Sequence, residues 1–107
     1  MNLCNAPFIS IQSGKKTVEM RLNDERRSSL KIDDIIIFTN NDTQEELTVK
    51  VIEVTPYKDF FELYLHYDKT EIGYTEDEAG DPCDMYQYYP KEKIDQYGAL
   101  AIRIKVI

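Results

Sequence analysis

At 107 residues and 12.6 kDa the chain has room for one domain, residues 1–107, with a core of its own and no second catalytic module. Thirteen basic against twenty acidic residues give a net charge of −7, which excludes a uniformly basic nucleic-acid coat. That average hides a division: up to Lys31 six bases meet three acids, and from Ile32 onward seven bases meet seventeen acids.

The chain opens on Asn5-Ala6-Pro7, which reads as an N-cap and first turn, because proline's missing N–H costs nothing there. A short helix over about Ala6 to Ser13 follows, with Phe8 and Ile11 on one face and Gly14 at the left-handed position that ends it. The period then changes. Val18, Met20 and Leu22 alternate with Thr17, Glu19 and Arg21, the pattern of a strand with one apolar and one polar face. Asn23 to Lys31 is polar and reads as an exposed loop. The apolar run Ile35 to Thr39 predicts a strand buried on both sides. Asn40 to Asp42 supplies turn chemistry.

A third strand is expected over about Glu46 to Thr55, with a bulge where its parity shifts at Val51 and Ile52, and with Pro56 as its end. Asp59 followed by Glu62 is a capping box opening a short helix through Tyr64, and Thr75 with Glu78 is a weaker copy. Between Asp68 and Asp84 stand seven acids and one base, read as a solvated acidic loop or frayed helix. Pro90 begins another helix, closed by Gly98. In the last strand Leu100, Ile102, Ile104 and Val106 face one way and Ala101, Arg103 and Lys105 the other. The sum is an α+β fold: a mostly antiparallel sheet curled into a partly open β-barrel with short flanking helices.

Cys4 and Cys83 lie far apart without CxxC spacing, and no signal peptide precedes them, so reduced thiols in a cytoplasmic protein are expected. The longest apolar runs fall far short of the ~20 residues of a spanning helix, so no membrane role is expected. The lone His66 has no evident metal partner, and neither a metal nor another cofactor is expected. No GxSxG motif and no phosphate-binding glycine loop is present.

The informative stretch is Ser13-Gly14-Lys15-Lys16-Thr17-Val18-Glu19-Met20-Arg21. Glu19 and Arg21 are two apart and share a strand face. Lys16 has the opposite parity and joins them only if the strand start is twisted or still loop. On spacing alone these three side chains read first as an ordinary ion pair on an exposed strand face.

Gly14-x-Lys16-x-x-Glu19-x-Arg21 after the Ala6-Pro7-Phe8-x-x-Ile11 helix, then Asp34-x-Ile36-x-Phe38, then Tyr97-Gly98-x-Leu100-Ala101-Ile102, resembles an ASCH domain of the PUA-like superfamily. The likeness spans nearly the whole chain, with Asp68 to Asp84 as the poorly matched part. It implies a PUA-like barrel with a cleft that accepts RNA. Some similar bacterial proteins are amidohydrolases of acetylcytidine, and others are reported as ribonucleases. Two positions depart from relatives: Asp33 stands where many carry a turn glycine, and Glu19 stands where the acetylcytidine hydrolases carry threonine beside a lysine matching Lys16. Their catalytic acid falls in the segment around Glu71.

The expected function is therefore binding of RNA or a modified nucleoside by Lys15, Lys16, Thr17, Glu19, Arg21, Arg26 and Arg27. Lys16 and Arg21 would meet phosphate or a base edge, and Glu19 would orient Arg21 or accept from an exocyclic amine. Tyr57, Tyr86, Tyr88 and Tyr89 are candidate stacking surfaces. If the basic side chains form one patch that neutralises about four phosphates, log K falls with log salt at a slope of about −3. The alternative is a small hydrolase of the same cleft, with Lys16 and Glu19 catalytic. A third reading is an adaptor whose acidic loop meets a protein partner.

Overall fold

The computed structural model describes residues Met1–Ile107. Five strands form one sheet: β1 (Asn2–Leu3), β2 (Val18–Leu22), β3 (Ile35–Asn40), β4 (Glu46–Tyr57) and β5 (Ala99–Val106), in the order β1-β3-β4-β5-β2. All pairs are antiparallel except β1 on β3. Three helices, α1 (Asn5–Gln12), α2 (Phe60–Tyr64) and α3 (Lys91–Tyr97), and a 3-10 segment, Pro82–Gln87, pack around it. This is the expected α+β curled half-barrel. The two-residue β1 has no periodicity of its own and escaped the sequence reading.

Two apolar clusters lie on the two faces of the sheet. Phe8 and Ile11 of α1 pack with Phe38, Val49, Val51, Leu100 and Ile102 on the concave face. Val18, Met20, Ala99 and Ala101 meet Phe60, Leu63, Met85 and Ile94 on the other. Consequently β5 is buried on both faces along its first half, although its alternation predicts a polar second face. Ala99 and Ala101 are small enough for the covering helices to approach, and on that face Arg103 and Lys105 reach solvent. For β3 the reverse holds. Ile36 and Phe38 are buried, but Ile35 and Ile37 are 53% and 49% exposed, so a four-residue apolar run is here an ordinary one-sided strand.

Local chemistry explains most boundaries. α1 begins at Asn5 with Cys4 at the cap position, not Asn5. The Asn5 N–H donates to the Asp42 carboxylate at 3.0 Å, and the Asn5 amide oxygen accepts from Asn40 Nδ2 at 2.9 Å, so tertiary partners replace a local cap. Gly14 takes the expected positive φ of 83° after the helix. Asp33 occupies the left-handed region at 77°.

Asn40 ends β3, fully buried. Its Oδ1 accepts from the N–H groups of Asp42 and Thr43, while the turn's positive φ falls on Gln44. The bulge lies between Val51 and Glu53. Pro56 does not end β4, which continues to Tyr57 with Pro56 opposite Leu100. Beyond Val51 the other edge of β4 no longer pairs with β3, so the missing N–H costs no ladder bond. Asp59 accepts from the Glu62 N–H at 2.9 Å, which is the N-cap half of the expected capping box. Thr75 and Glu78 build only a turn, the Glu78 carboxylate accepting from the Thr75 N–H at 2.8 Å.

The acidic segment is neither a free loop nor a frayed α-helix: it is a run of turns whose last residues, Pro82 to Asp84, enter the 3-10 segment. Ile72 is buried in the second cluster, and Lys69 Nζ donates to the carbonyls of Glu76 and Glu78 at 2.8 and 2.5 Å. Its single lysine, placed among seven acids, staples the turns together.

Candidate functional site

The loop Gly14–Thr17 is pinned from both sides. The N–H groups of Lys15 and Lys16 both donate to the Ser10 carbonyl at 3.0 Å, and those of Thr17 and Val18 both donate to the Glu71 carbonyl at 3.0 Å. Because β2 starts only at Val18, Lys16 is still loop, and strand parity does not bind it. Its ammonium reaches Glu19 Oε1 at 3.1 Å. Arg21, on the same face of β2 as Glu19, donates through Nη2 at 3.0 Å and Nε at 3.3 Å to Oε2. Lys16 and Glu19 are 9% and 3% exposed. A buried carboxylate between two cations leaves one surplus positive charge at the barrel mouth.

Burial pushes the Glu19 carboxyl up, but the charges and hydrogen bonds of Lys16 and Arg21 together outweigh it and hold its pKa below the ordinary value. Oε1 also accepts from the Met20 N–H at 3.1 Å. With two contacts on each oxygen, Glu19 has no lone pair left for a ligand. The sequence-level expectation that it accepts from an exocyclic amine is therefore not met in this geometry. The Oε2 contacts do fix the position of the Arg21 guanidinium.

The triad opens into a cleft of about 1020 Å³ between α1, the mouth of the sheet and the acidic segment. Lys15, Lys16, Glu19, Arg21 and Arg27 all line it. Arg27 is tied to Asp24 at 2.7 Å. Thr17 and Arg26 do not line it. Thr17 spends its backbone on Glu71 and on Ile104, whose N–H donates to its carbonyl at 2.9 Å, and Arg26 is exposed outside the cleft. The acidic segment forms the opposite wall. At Gly73, φ 112°, it lies on the aliphatic stem of Lys16, where any Cβ would sit 3.2 Å from Cδ.

Of the candidate stacking tyrosines, Tyr88 and Tyr89 line the cleft. Tyr57 instead stacks on His66, ring centroids 5.0 Å apart, and its phenol is pushed up to about 12 by burial and by its bond with Tyr67. Tyr86 packs beside Phe61. The sequence reading missed Tyr64, Tyr74 and Asp84, which also face the cleft. Tyr74 donates to Asp84 Oδ2 at 2.7 Å, and its oxygen lies 2.9 Å from the Tyr64 hydroxyl. Their contacts span ten residues of irregular turns, and no periodic pattern marks them. Glu71 is turned away: its Oε1 lies 3.4 Å from Arg103 Nη1 and its Oε2 accepts from the Asp68 N–H.

A curled half-barrel with short covering helices and a polar cleft at its mouth is a PUA-like α+β domain. The chain belongs to the ASCH domain family, whose model matches residues 1–107. Among solved structures, the crystal structure of the hypothetical protein PH0355 is similar at 31% identity with a TM-score of 0.84, over 100% of this chain and 96% of that one. The solution structure of PF0455 from Pyrococcus furiosus shares the fold at 24% identity with a TM-score of 0.70, over 100% of this chain and 98% of that one. No curated protein matches the chain. No helix is long and apolar enough to cross a membrane.

Proposed function

We propose that this ASCH domain binds a nucleotide, either free or as an unpaired residue of RNA, in the cleft around Lys16, Glu19 and Arg21. The observation that carries this reading is the convergence of the three side chains at 3.0 to 3.1 Å on one concave wall, opposite aromatic side chains. Lys16 and Arg21, held rigid by Glu19, are preorganised donors for phosphate or carbonyl oxygens, and Tyr88 and Tyr89 offer stacking faces. The acidic wall, with Glu78 and Asp84, opposes the polyanionic backbone of a long strand, which favours a single unpaired nucleotide over a track.

The hydrolase reading finds less support. Lys16 is an ammonium paired to a carboxylate, a donor without a free base beside it. Glu19 is saturated, and Glu71 is committed to Arg103. The adaptor reading loses its premise of a free acidic loop, since that segment is stapled into the cleft wall.

Titrating labelled short single-stranded RNA into the protein and its Lys16→Ala variant at two salt concentrations tests the proposal. With one or two phosphates engaged, log K falls with log salt at a slope of about −1, shallower than an open basic patch would give. Lys16→Ala weakens binding and flattens that slope. Absent binding, or binding indifferent to Lys16 and to salt, contradicts the proposal. Release of cytidine from acetylcytidine above the Lys16→Ala background would restore the hydrolase.

A further inference from the structure

The wall facing the cations has a fixed hydrogen-bond polarity. Tyr74 owns one hydroxyl hydrogen, and the Asp84 carboxylate at 2.7 Å and the Asp81 carbonyl at 3.1 Å both claim it. Its oxygen can therefore meet Tyr64 only as an acceptor, so the Tyr64 hydroxyl is the donor across their 2.9 Å contact. Burial pushes both phenols up, and the bond that Tyr74 donates to Asp84 pushes Tyr74 higher still, so both keep their protons through the neutral range. With each hydrogen spent inside the chain, what remains for a ligand is acceptors alone: the second lone pairs of the Tyr64 and Tyr74 oxygens, and Asp84 Oδ1, which has no partner within the protein. Glu19 is saturated, so the free carboxylate oxygens of this cleft are those of Asp84 and Glu78; Glu78 is held by the Thr75 N–H, and Asp84 alone is bonded to the phenol pair.

We propose that Tyr64, Tyr74 and Asp84 form a specificity device that selects a ligand edge with two adjacent N–H donors, of the kind guanine presents with N1–H and its 2-amino group. The assignment rests on the nucleotide reading of the cleft. Cytosine and adenine place an acceptor nitrogen beside their amine, and uracil flanks its one N–H with carbonyls, so each sets a lone pair against this wall. Guanine's edge does not. A carboxylate accepting from two parallel N–H groups gains from both, and a half-buried wall of acceptors penalises any edge that sets lone pairs against it. The opposite wall, with the Lys16 and Arg21 donors, takes the phosphate.

Calorimetric titration with guanosine monophosphate and inosine monophosphate, which differ only by the 2-amino group, tests the device. The guanine nucleotide should bind about tenfold more tightly, as loss of one hydrogen bond to a charged acceptor implies. In Asp84→Asn an amide N–H replaces the free acceptor, and the ratio should fall to about one. Should that variant fold poorly, Tyr74→Phe serves: it frees the Tyr64 proton to face the ligand, and the ratio should fall likewise. Equal affinities in the parent protein, or a ratio unchanged in the variants, overturn the device and leave the nucleotide reading standing. Binding of neither nucleotide, with short RNA also unbound, overturns both.

Discussion

Arg21 and Asn2 face each other across the open seam of the barrel, with guanidinium Nη2 3.1 Å from the Asn2 carbonyl oxygen. β1 and β2 are the two edges of the sheet, and no backbone pairing joins them. One side chain therefore spans the gap that keeps the barrel partial, while its other donors hold Glu19. Closure of the fold and assembly of the site share a residue.

Replacing that fork by a point charge should open the seam without emptying the core. Arg21→Lys keeps the charge but cannot serve Glu19 and Asn2 together. The expected cost is about 1 to 3 kcal/mol in denaturant unfolding. Amide exchange should accelerate at Thr39 and Asn41, whose N–H groups donate to Met1 and Leu3 of the edge, and not in the central β4–β5 ladder. Uniform acceleration throughout the sheet would show that Arg21 is not a local latch.

Acid should attack the site through Glu19. Its folded pKa lies below the ordinary 4.5, so around and below that pH the unfolded chain binds the proton more readily. Stability from this group is thus complete above the unfolded value and is lost as pH falls through the folded one. Glu19→Gln removes this component. It should be less stable at pH 7 by about 2 to 4 kcal/mol, because two cations lose their buried partner, and its stability should fall less steeply below pH 4.5. Parallel curves for the two proteins would refute the assignment.

Three glycines with positive φ should respond differently to alanine. At Gly98 a Cβ would meet the Tyr57 carbonyl oxygen at 2.6 Å and the Lys58 carbonyl oxygen at 3.3 Å, both backbone atoms, so Gly98→Ala should cost more than about 3 kcal/mol. Gly14→Ala meets nothing within 4 Å and should cost only the left-handed backbone, about 1 to 2 kcal/mol. Gly73→Ala is the informative one. It pushes on the Lys16 stem at 3.2 Å and should weaken ligand binding by more than its stability loss explains. Thermal melts beside binding titrations separate the two effects.

Tyr88 is 68% exposed and lines the cleft. Tyr88→Ala should leave stability within about 0.5 kcal/mol. If the ring stacks on a base, the same change should cost about 1 to 3 kcal/mol of binding. Unchanged affinity would remove Tyr88 from the site.

Local rules made most of the fold readable. The alternation in Val18 to Leu22, the capping pair Asp59 and Glu62, Gly14 and Gly98 as terminators, and the bulge after Val51 are all decided within a few residues of chain. Where a residue's partner is distant, those rules were silent. Whether Ile35 and Ile37 face core or water depends on a second layer that is absent above them, and Pro56 is tolerated only because β3 has already ended.

The same boundary runs through the site. Lys16, Glu19 and Arg21 lie within six residues and were legible as a motif, although their convergence depended on where β2 begins. Tyr64, Tyr74 and Asp84 are joined only by the folding of the acidic segment, which composition alone presents as a solvated acidic loop or frayed helix.

The central claim is that the cleft around the triad is where a nucleotide binds. Titrating guanosine monophosphate into ¹⁵N-labelled protein and mapping the shifted amides tests it most directly. Saturable shifts concentrated at Lys15 to Arg21, Gly73 to Thr75 and Asp84 to Tyr89, lost in Lys16→Ala, are the expected result. Shifts clustered instead on the outer face around Ile35, Ile37 and Lys50, or none at millimolar ligand, would contradict it.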